Sequence, residues 1–162
     1  MKKVSFADMD CSIAKALEVV GEWWTLLIVR DAFLGVTRFD DFAKRLGIAR
    51  NVLTARLDTL VDAEVLERVP YEEGARTRYD YRLTKKGRAL WPVMVTLRQW
   101  GDEWITGKGN EPVLLEHRGC GHTTKVHLAC DRCGERLYGR DVVTRPGPGL
   151  PDPTWLPATS SR

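Results

Sequence analysis

Residues 39–83 contain the pattern that most restricts the fold of this chain. They comprise two short amphipathic stretches followed by two strand-like segments. The first stretch, Phe39–Leu46, ends at Gly47, and the second runs from Arg50 to Leu60. Apolar residues recur every three or four positions in both stretches, which predicts two helices joined by a tight turn.

Two segments with strand-like composition, Leu66–Tyr71 and Arg78–Leu83, follow the helix pair, and residues 72–77 between them are polar and contain a glycine. This composition predicts an antiparallel ribbon with a turn at its tip. Two helices and a ribbon in this order form a winged helix-turn-helix, an α+β fold whose second helix enters the DNA major groove. The pattern therefore predicts a domain that binds double-stranded DNA.

The second helix of the pair is expected to supply most of the DNA contacts. Its leucines share one apolar face, which leaves polar side chains exposed at its start. We predict contacts from Arg50, Asn51, Thr54 and Arg56 in the major groove, and from Arg76 and Arg78 of the ribbon at phosphate or in the minor groove. Arginine commonly reads guanine edges and asparagine reads adenine. For Arg56 an alternative is an ion pair with Asp40 or Asp41, because surface arginines are commonly paired.

The overall charge does not by itself identify a DNA-binding protein. The net charge is +3, and residues 1–106 carry 17 Lys or Arg against 16 Asp or Glu. Local placement of basic residues must therefore create any DNA-binding surface. No stretch approaches the roughly 20 apolar residues that span a bilayer, and the first ten residues lack the apolar segment of a signal peptide. We expect a cytoplasmic protein without membrane contact.

Apolar periodicity predicts three further helices, at residues 11–20, 23–34 and 85–105. Pro92 is expected to kink or divide the last of these. Four apolar residues recur along this helix at three- and four-residue steps: Val93, Leu97, Trp100 and Trp104. We predict that this stripe joins two subunits of a homodimer, which would place two reading helices on successive major-groove faces. The alternative is that the tryptophans pack within their own domain.

Two motifs near the C-terminus place possible metal ligands at equal spacing. Each motif has two ligands three residues apart and ends in glycine; the ligands are His117, Cys120, Cys130 and Cys133. Close cysteines in a reducing compartment predict a metal site before they predict disulfides. Four such ligands predict a structural zinc ion in a zinc ribbon, with no open position for a water. His122 is a rival fourth ligand and His127 a weaker one; free thiols in a flexible tail are the alternative.

Composition divides the chain into four parts. We predict a winged helix-turn-helix and dimerisation domain at 1–106, a linker at 107–112, a zinc-ribbon-like unit at 113–143, and a disordered Pro- and Gly-rich tail at 144–162. The ribbon-like unit is too small to fold without a metal.

A zinc enzyme is a weak alternative for this chain. A nucleobase deaminase needs a His-x-Glu segment and a proline before its cysteine pair. Here Ala129 precedes Cys130, and no histidine has a glutamate two residues later. A further alternative, compatible with DNA binding, is that the ribbon is a docking module for another protein or an effector. No motif indicates a particular small-molecule effector.

Residues 11–106 as a whole resemble the HxlR-type regulators, a MarR-related branch of the winged-helix proteins. The matching stretches are Val20–Ile28, Arg38–Phe42, Leu46–Ile48, Leu53–Leu57, Tyr79–Gly87, and Leu90–Pro92 continuing to Trp100. The resemblance implies a homodimeric transcription factor that binds operator DNA and dimerises through its terminal helices; we expect a repressor. Trp23 departs from the family pattern, which usually has a lysine there. The C-terminal unit lies outside the common family core, although some members carry cysteine-bearing extensions.

Cys11 lies apart from the other three cysteines, in the first turn of the first predicted helix. The helix dipole favours its thiolate, whereas Asp8 and Asp10 oppose it. The resemblance implies a possible sensor of oxidants or electrophiles, because some HxlR-type regulators use a cysteine at the matching position. A small apolar residue packed in the core is the alternative.

Overall fold

The computed structural model describes residues 5–6, 8–74 and 76–150. Most of the predicted disordered tail, residues 151–162, lies outside the described residues. The chain forms two compact units, residues 1–94 and 95–162. This division falls inside the last long helix and not at the predicted linker, because the end of that helix is hydrogen-bonded to the residues that follow it. Arg98 Nη1 donates to the Val113 carbonyl at 3.1 Å.

The elements follow the order expected of a winged helix-turn-helix. The first unit contains α1 (Ser12–Val20), α2 (Trp23–Phe33), α3 (Phe39–Leu46), α4 (Arg50–Asp62), β1 (Leu66–Glu73), β2 (Arg76–Leu83) and α5 (Lys85–Arg88). Helix α6 (Trp91–Gly101) runs from the first unit into the second and continues as a π-helical turn (Asp102–Thr106). The second unit adds β3 (Glu116–His117), β4 (His122–Thr123) and a 3-10 turn (Gly139–Asp141).

The core of the first unit lies where α2, α3 and α4 meet the base of the ribbon. Its fully buried or nearly buried apolar residues are Ile28, Val29, Phe42, Ile48, Leu53, Leu57, Leu60, Val65 and Leu66. The leucines of α4 are buried at three- and four-residue steps, as the apolar periodicity predicts. Helix α2 contributes Ile28 and Val29 to this core, but Trp23 at its start is exposed.

Strands β1 and β2 form an antiparallel ribbon with Leu66 opposite Leu83 and Glu73 opposite Arg76. The ribbon is two residues longer on each strand than predicted. Polar cross-strand contacts extend the pairing toward the tip, since Thr77 Oγ1 donates to Glu72 Oε1 at 3.0 Å. Composition alone predicted that residues 72–77 form the turn, because Glu72, Glu73, Arg76 and Thr77 are all polar.

The predicted helix at residues 85–105 is divided, as Pro92 indicated. Helix α5 ends at Arg88, and α6 begins at Trp91. Pro92 is the second residue of α6, a position where its missing N–H removes no intrahelical hydrogen bond. Across the described residues, no helix is both long enough and apolar enough to cross a bilayer.

Candidate functional site

A tight turn joins α3 to α4 and fixes how α4 is presented. Gly47 ends α3 in the left-handed conformation (φ 61°), and its N–H donates to the Ala43 carbonyl at 3.0 Å. Ile48 is buried in the core and holds the turn against it. The turn therefore leaves the start of α4 exposed, while the leucines along one face of the helix are buried.

Three of the predicted DNA-contacting residues form the exposed start of α4. Arg50, Asn51 and Thr54 are all exposed, whereas Leu53 between them is fully buried. Thr54 Oγ1 donates to the Arg50 carbonyl at 3.0 Å, and its oxygen keeps acceptor capacity toward a base or phosphate. This arrangement is what a recognition helix needs to place polar side chains against base edges.

Asp40 connects the start of α4 to the ribbon. Its two oxygens accept from Arg50 Nη1 at 2.6 Å and from Arg78 Nη1 at 3.4 Å. The hydrogen bond from Arg50, reinforced by the charge of Arg78, lowers the pKa of the Asp40 carboxyl. The N-cap of α3 is Arg38, and Asp40 lies in the first turn of the helix. From this position Asp40 holds two predicted DNA-contacting arginines close together.

A cleft lies between the start of α4 and the ribbon. It is lined by Arg38, Phe39, Asp40, Asp41, Arg50, Tyr71, Glu73, Arg78, Tyr79 and Tyr81. The Arg50 guanidinium lies 4.6 Å from the centre of the Phe39 ring, and that of Arg38 lies 4.8 Å from the centre of the Tyr71 ring. Aromatic faces under these cations limit the directions in which they can point.

The two predicted wing residues differ in their surroundings. Arg76 is exposed at the start of β2, next to the ribbon tip. Arg78 also donates to Glu73 at 2.7 Å, in addition to Asp40. Both acids compete with phosphate for Arg78, so the charge that this arginine offers to DNA is partly neutralised within the protein.

Arg56 is placed apart from the other predicted contacts. Its Nη2 lies 3.3 Å from Glu22, and only 26% of its side chain is exposed. The alternative of an ion pair is the one seen, although the partner is Glu22 and not Asp40 or Asp41. Arg56 thus joins α4 to the residue that precedes α2, and its placement favours a structural role.

Asp31 was not singled out from the sequence, although it helps to orient the motif. It is fully buried in α2 and accepts hydrogen bonds from Arg30 at 2.9 Å and Arg45 at 3.2 Å. Because Arg45 belongs to α3, the buried carboxylate connects α2 to the first helix of the motif. The sequence does contain a signal for this role, because Asp31 is an acid within a mostly apolar helix. A buried charge of this kind is nearly always paired.

The two ligand motifs of the second unit each form a tight turn. His117 Nδ1 lies 3.3 Å from Cys120 Sγ. In the other motif, the backbone N–H groups of Cys133 and Arg132 donate to the Cys130 sulfur and lower its pKa, with a further contribution from the Cys133 thiol. Within the part of the chain that the structure describes, no three His, Cys, Asp or Glu side chains come together as a metal-binding group. The motifs are therefore two separate pairs of donors.

Cys11 is the N-cap of α1, one position before the helix and not within its first turn as expected. Its side chain is partly exposed. Asp10 directly precedes this N-cap residue. The thiol is neither a fully buried core residue nor fully exposed.

The predicted dimer stripe is exposed to solvent in the single chain. The exposed fractions are 50% for Val93, 48% for Leu97, 56% for Trp100 and 68% for Trp104. Each of these side chains is therefore partly covered within its own chain and leaves apolar surface exposed.

Comparison with known proteins links this arrangement to transcription regulators. Residues 19–108 match the HxlR-like helix-turn-helix family. The HTH-type transcriptional regulator Rv3095 of Mycobacterium tuberculosis is 46% identical over 139 residues, which cover 86% of this chain and 87% of that protein. The match of 139 residues is longer than the first unit, which ends at Met94, so the similarity extends into the second unit.

Two solved structures are similar to different lengths of the chain. That of PA1607, a candidate transcription factor, has a TM-score of 0.77 at 40% identity and covers 88% of this chain and 99% of that one. The reduced form of the redox regulator HypR has a TM-score of 0.52 at 26% identity, covering 56% and 90%. With the exposed polar start of α4 and the ribbon beside it, these similarities show that the chain belongs to the HxlR-like helix-turn-helix family and is a DNA-binding transcriptional regulator, not an enzyme.

Proposed function

We propose that the protein is a cytoplasmic homodimeric repressor that binds double-stranded operator DNA through the start of α4 and the ribbon. The observation that carries the proposal is the exposure of Arg50, Asn51 and Thr54 on a helix whose leucines are fully buried. A repressor of this kind would cover its operator and exclude polymerase. Footprinting on the DNA upstream of its own gene, combined with transcription from that template, tests the direction of regulation.

Dimerisation is supported by the apolar side chains that the terminal helices leave exposed. Helix α6 exposes Leu97 and Trp100, and α1 exposes Ile13 and Leu17 one helical step apart. Apolar side chains that recur on one helix face in this way are typical of surfaces that bind a partner. A second copy is the proposed partner, because a two-fold dimer lets both copies of α4 reach successive major-groove faces of one duplex.

In this proposal the arginines around Asp40 change partners when DNA binds. Arg50 and Arg78 are hydrogen-bonded to Asp40 in the free protein. Phosphate oxygens and guanine edges would compete with this carboxylate for the same N–H groups. Asp40 thus holds both side chains near their binding positions, and it also weakens the attraction to DNA that lacks a matching base.

Replacing Arg50 with alanine is expected to cost about 1–3 kcal/mol of operator affinity, or about 5- to 150-fold in Kd. The loss should be smaller for random-sequence DNA, because a base contact carries discrimination and a phosphate contact does not. Mobility-shift titrations at one salt concentration, with operator and random competitor, measure both.

Arg140→Ala is the matched control for this change. Arg140 is 82% exposed in the second unit and pairs with Asp141, so its removal alters the net charge equally without touching α4. Its Kd should stay near that of the parent protein. Equal losses in the two variants would show that Arg50 contributes general charge only, and an unchanged Kd in Arg50→Ala would contradict the proposed reading surface.

Redox sensing through Cys11 is a second candidate function. The supporting observations are the partly exposed thiol at the N-cap of α1 and the similarity of the fold to HypR, a redox regulator. A disulfide between the Cys11 thiol and a second thiol, formed as two electrons and two protons pass to diamide, would alter a helix that also exposes apolar residues for dimerisation.

Diamide treatment is expected to weaken operator binding by the parent protein but not by Cys11→Ser. If the parent protein keeps its full affinity after diamide, Cys11 has no sensing role. If Cys11→Ser responds as strongly as the parent, the response belongs to another cysteine.

A further inference from the structure

We propose that the second unit binds one zinc ion through His117, Cys120, Cys130 and Cys133, and that this ion holds its two hairpins together. All four residues belong to the C-terminal extension, so zinc binding there is independent of how α4 contacts DNA. The two turns, the contacts within each donor pair and the lack of buried side chains among the described residues after Val95 support the site.

The two turns have the same backbone geometry. The Gly121 N–H donates to the His117 carbonyl at 2.8 Å, and the Gly134 N–H donates to the Cys130 carbonyl at 2.9 Å. Both glycines are left-handed, with φ of 69° and 75°. Each motif is thus a five-residue turn closed by a hydrogen bond from its glycine. The ligands are the first and fourth residues of the turn, and the glycine is the fifth. A turn of this type brings its two ligand side chains to the same side, as zinc ribbons require.

Each turn lies at the tip of a short hairpin. In the first hairpin Glu116 pairs with Thr123. In the second, Ala129 pairs with Arg136, and the Leu137 N–H donates to the Leu128 carbonyl at 2.9 Å. In the proposed site one ion would lie between the two tips and take two ligands from each, which completes a tetrahedral set.

The donors within each pair are already close. His117 Nδ1 and Cys120 Sγ are 3.3 Å apart. Zinc–nitrogen and zinc–sulfur bonds at a tetrahedral angle place these two atoms about 3.5 Å apart. The spacing in the first pair therefore needs little adjustment, and the change that binding requires is the approach of the two pairs to each other. On coordination each thiol loses its proton to solvent and binds as the thiolate.

Apolar burial does not account for the folding of this unit. None of the described residues after Val95 is buried, and large apolar side chains such as Leu114, Leu128 and Val143 are exposed. A unit of this size without a core needs a disulfide, a metal or a partner to hold one structure. All four cysteines are free thiols, so a metal is the remaining internal crosslink that these side chains support.

His117 is assigned as the fourth ligand in preference to His122. His117 already faces Cys120, whereas His122 Nδ1 lies 2.7 Å from the Cys120 carbonyl. A histidine held in this way can still ligate through its other nitrogen, so the two residues are compared directly in the experiment.

The ion would also stabilise the contact between the hairpins and α6. The Gln99 side chain donates to the Val126 carbonyl at 2.8 Å and accepts from the Val126 N–H at 2.6 Å, which imitates a backbone β-bridge. Val126 lies between the two hairpins, so a crosslink that holds both hairpins restricts it from either side.

The test is metal content and cobalt binding of the full-length protein, purified without a histidine tag. We expect one zinc per chain by atomic emission, and tetrahedral visible absorption with sulfur-to-metal charge transfer after exchange into cobalt. Cys133→Ser and His117→Ala should lose at least tenfold in metal affinity. Cys11→Ser and His122→Ala, which leave the assigned ligands intact, should keep full occupancy.

Hydrogen exchange adds a readout that does not depend on the spectrum. Removing the metal with a chelator should speed exchange at Val126 and through residues 113–137, while the leucines of α4 remain protected and operator binding by the first unit persists. Metal content well below one per chain after zinc reconstitution would overturn the proposal, as would full occupancy in Cys133→Ser. Loss of metal in His122→Ala with retention in His117→Ala would overturn the assignment of His117. If the protein holds one zinc per chain but binds no operator, the proposed function is contradicted and the zinc site is not.

Discussion

Replacing Trp100 with glutamate is expected to convert the proposed homodimer to single chains and to weaken operator binding by at least about 100-fold. Trp100 lies on α6 with 56% of its surface exposed, between Leu97 and Trp104, which are also exposed. A carboxylate at this position would have to lose its water on dimerisation without gaining a partner, which opposes association strongly. The loss of affinity follows because two linked copies of α4 bind one operator far more tightly than a single copy does.

Sedimentation and mobility-shift titration measure the two effects separately. Val143→Glu is the control, since it places the same charge on an exposed apolar residue of the second unit outside α6. This variant should remain dimeric and bind normally. A dimeric Trp100→Glu would show that α6 is not the interface. A monomeric variant with unchanged operator affinity would show that dimerisation is not needed for binding.

The parts of the fold that follow from local patterns were predictable from the sequence. The bounds of α3 and the start of α4 match the prediction because apolar spacing and Gly47 determine them within a few residues. The division at Pro92 is a local effect of the same kind. The extra length of the ribbon was missed because it depends on cross-strand contacts such as Thr77 with Glu72, which composition does not reveal.

The contacts that organise the DNA-binding surface could not be predicted in the same way. Asp40 and Arg78 are 38 residues apart in the chain, and they meet only because the ribbon folds back beside α3. Arg56 meets Glu22 for a similar reason. Residue type and helical position were enough to identify the exposed side chains at the start of α4. Which acid each arginine pairs with depends on the tertiary structure.

The donor pairs of the second unit illustrate the same limit. His117 and Cys120 are three residues apart, so their proximity is a property of one turn and could be anticipated from spacing. The relation between the two turns is not local, and the described residues contain two pairs and no group of three donors. Spacing thus predicts each half of the proposed zinc site, whereas joining the halves requires the ion.

Replacing Gly87 with alanine is expected to destabilise the first unit by about 3 kcal/mol, the upper part of the range for a side chain forced into packed structure. A Cβ atom at this position would lie 2.1 Å from the Val65 carbonyl oxygen and 2.9 Å from Leu83 Cδ2. The first of these is a backbone atom, which cannot rotate away as a side chain can. Either α5 or the start of β1 must therefore move.

The contacts that surround Gly87 explain why such a movement would spread. Thr84 caps α5 by accepting from the Gly87 N–H at 3.0 Å, and Thr84 Oγ1 donates to the Glu64 carbonyl at 2.6 Å. The Thr84 N–H donates to the Val65 carbonyl at 3.1 Å. These bonds join the end of the ribbon to the start of β1, and Val65 itself belongs to the buried core. A shift at Gly87 would lengthen several of them together.

Thermal and urea unfolding of Gly87→Ala measure the loss, with Lys85→Ala as the control because Lys85 is exposed in the same short helix. In other helices the change from glycine to alanine favours folding by about 1 kcal/mol, so a destabilised variant would isolate the steric effect. Equal stability of the Gly87→Ala and parent proteins would mean that α5 moves away from Val65 without loss. The close approach of α5 to the ribbon would then not be what holds the ribbon beside α4.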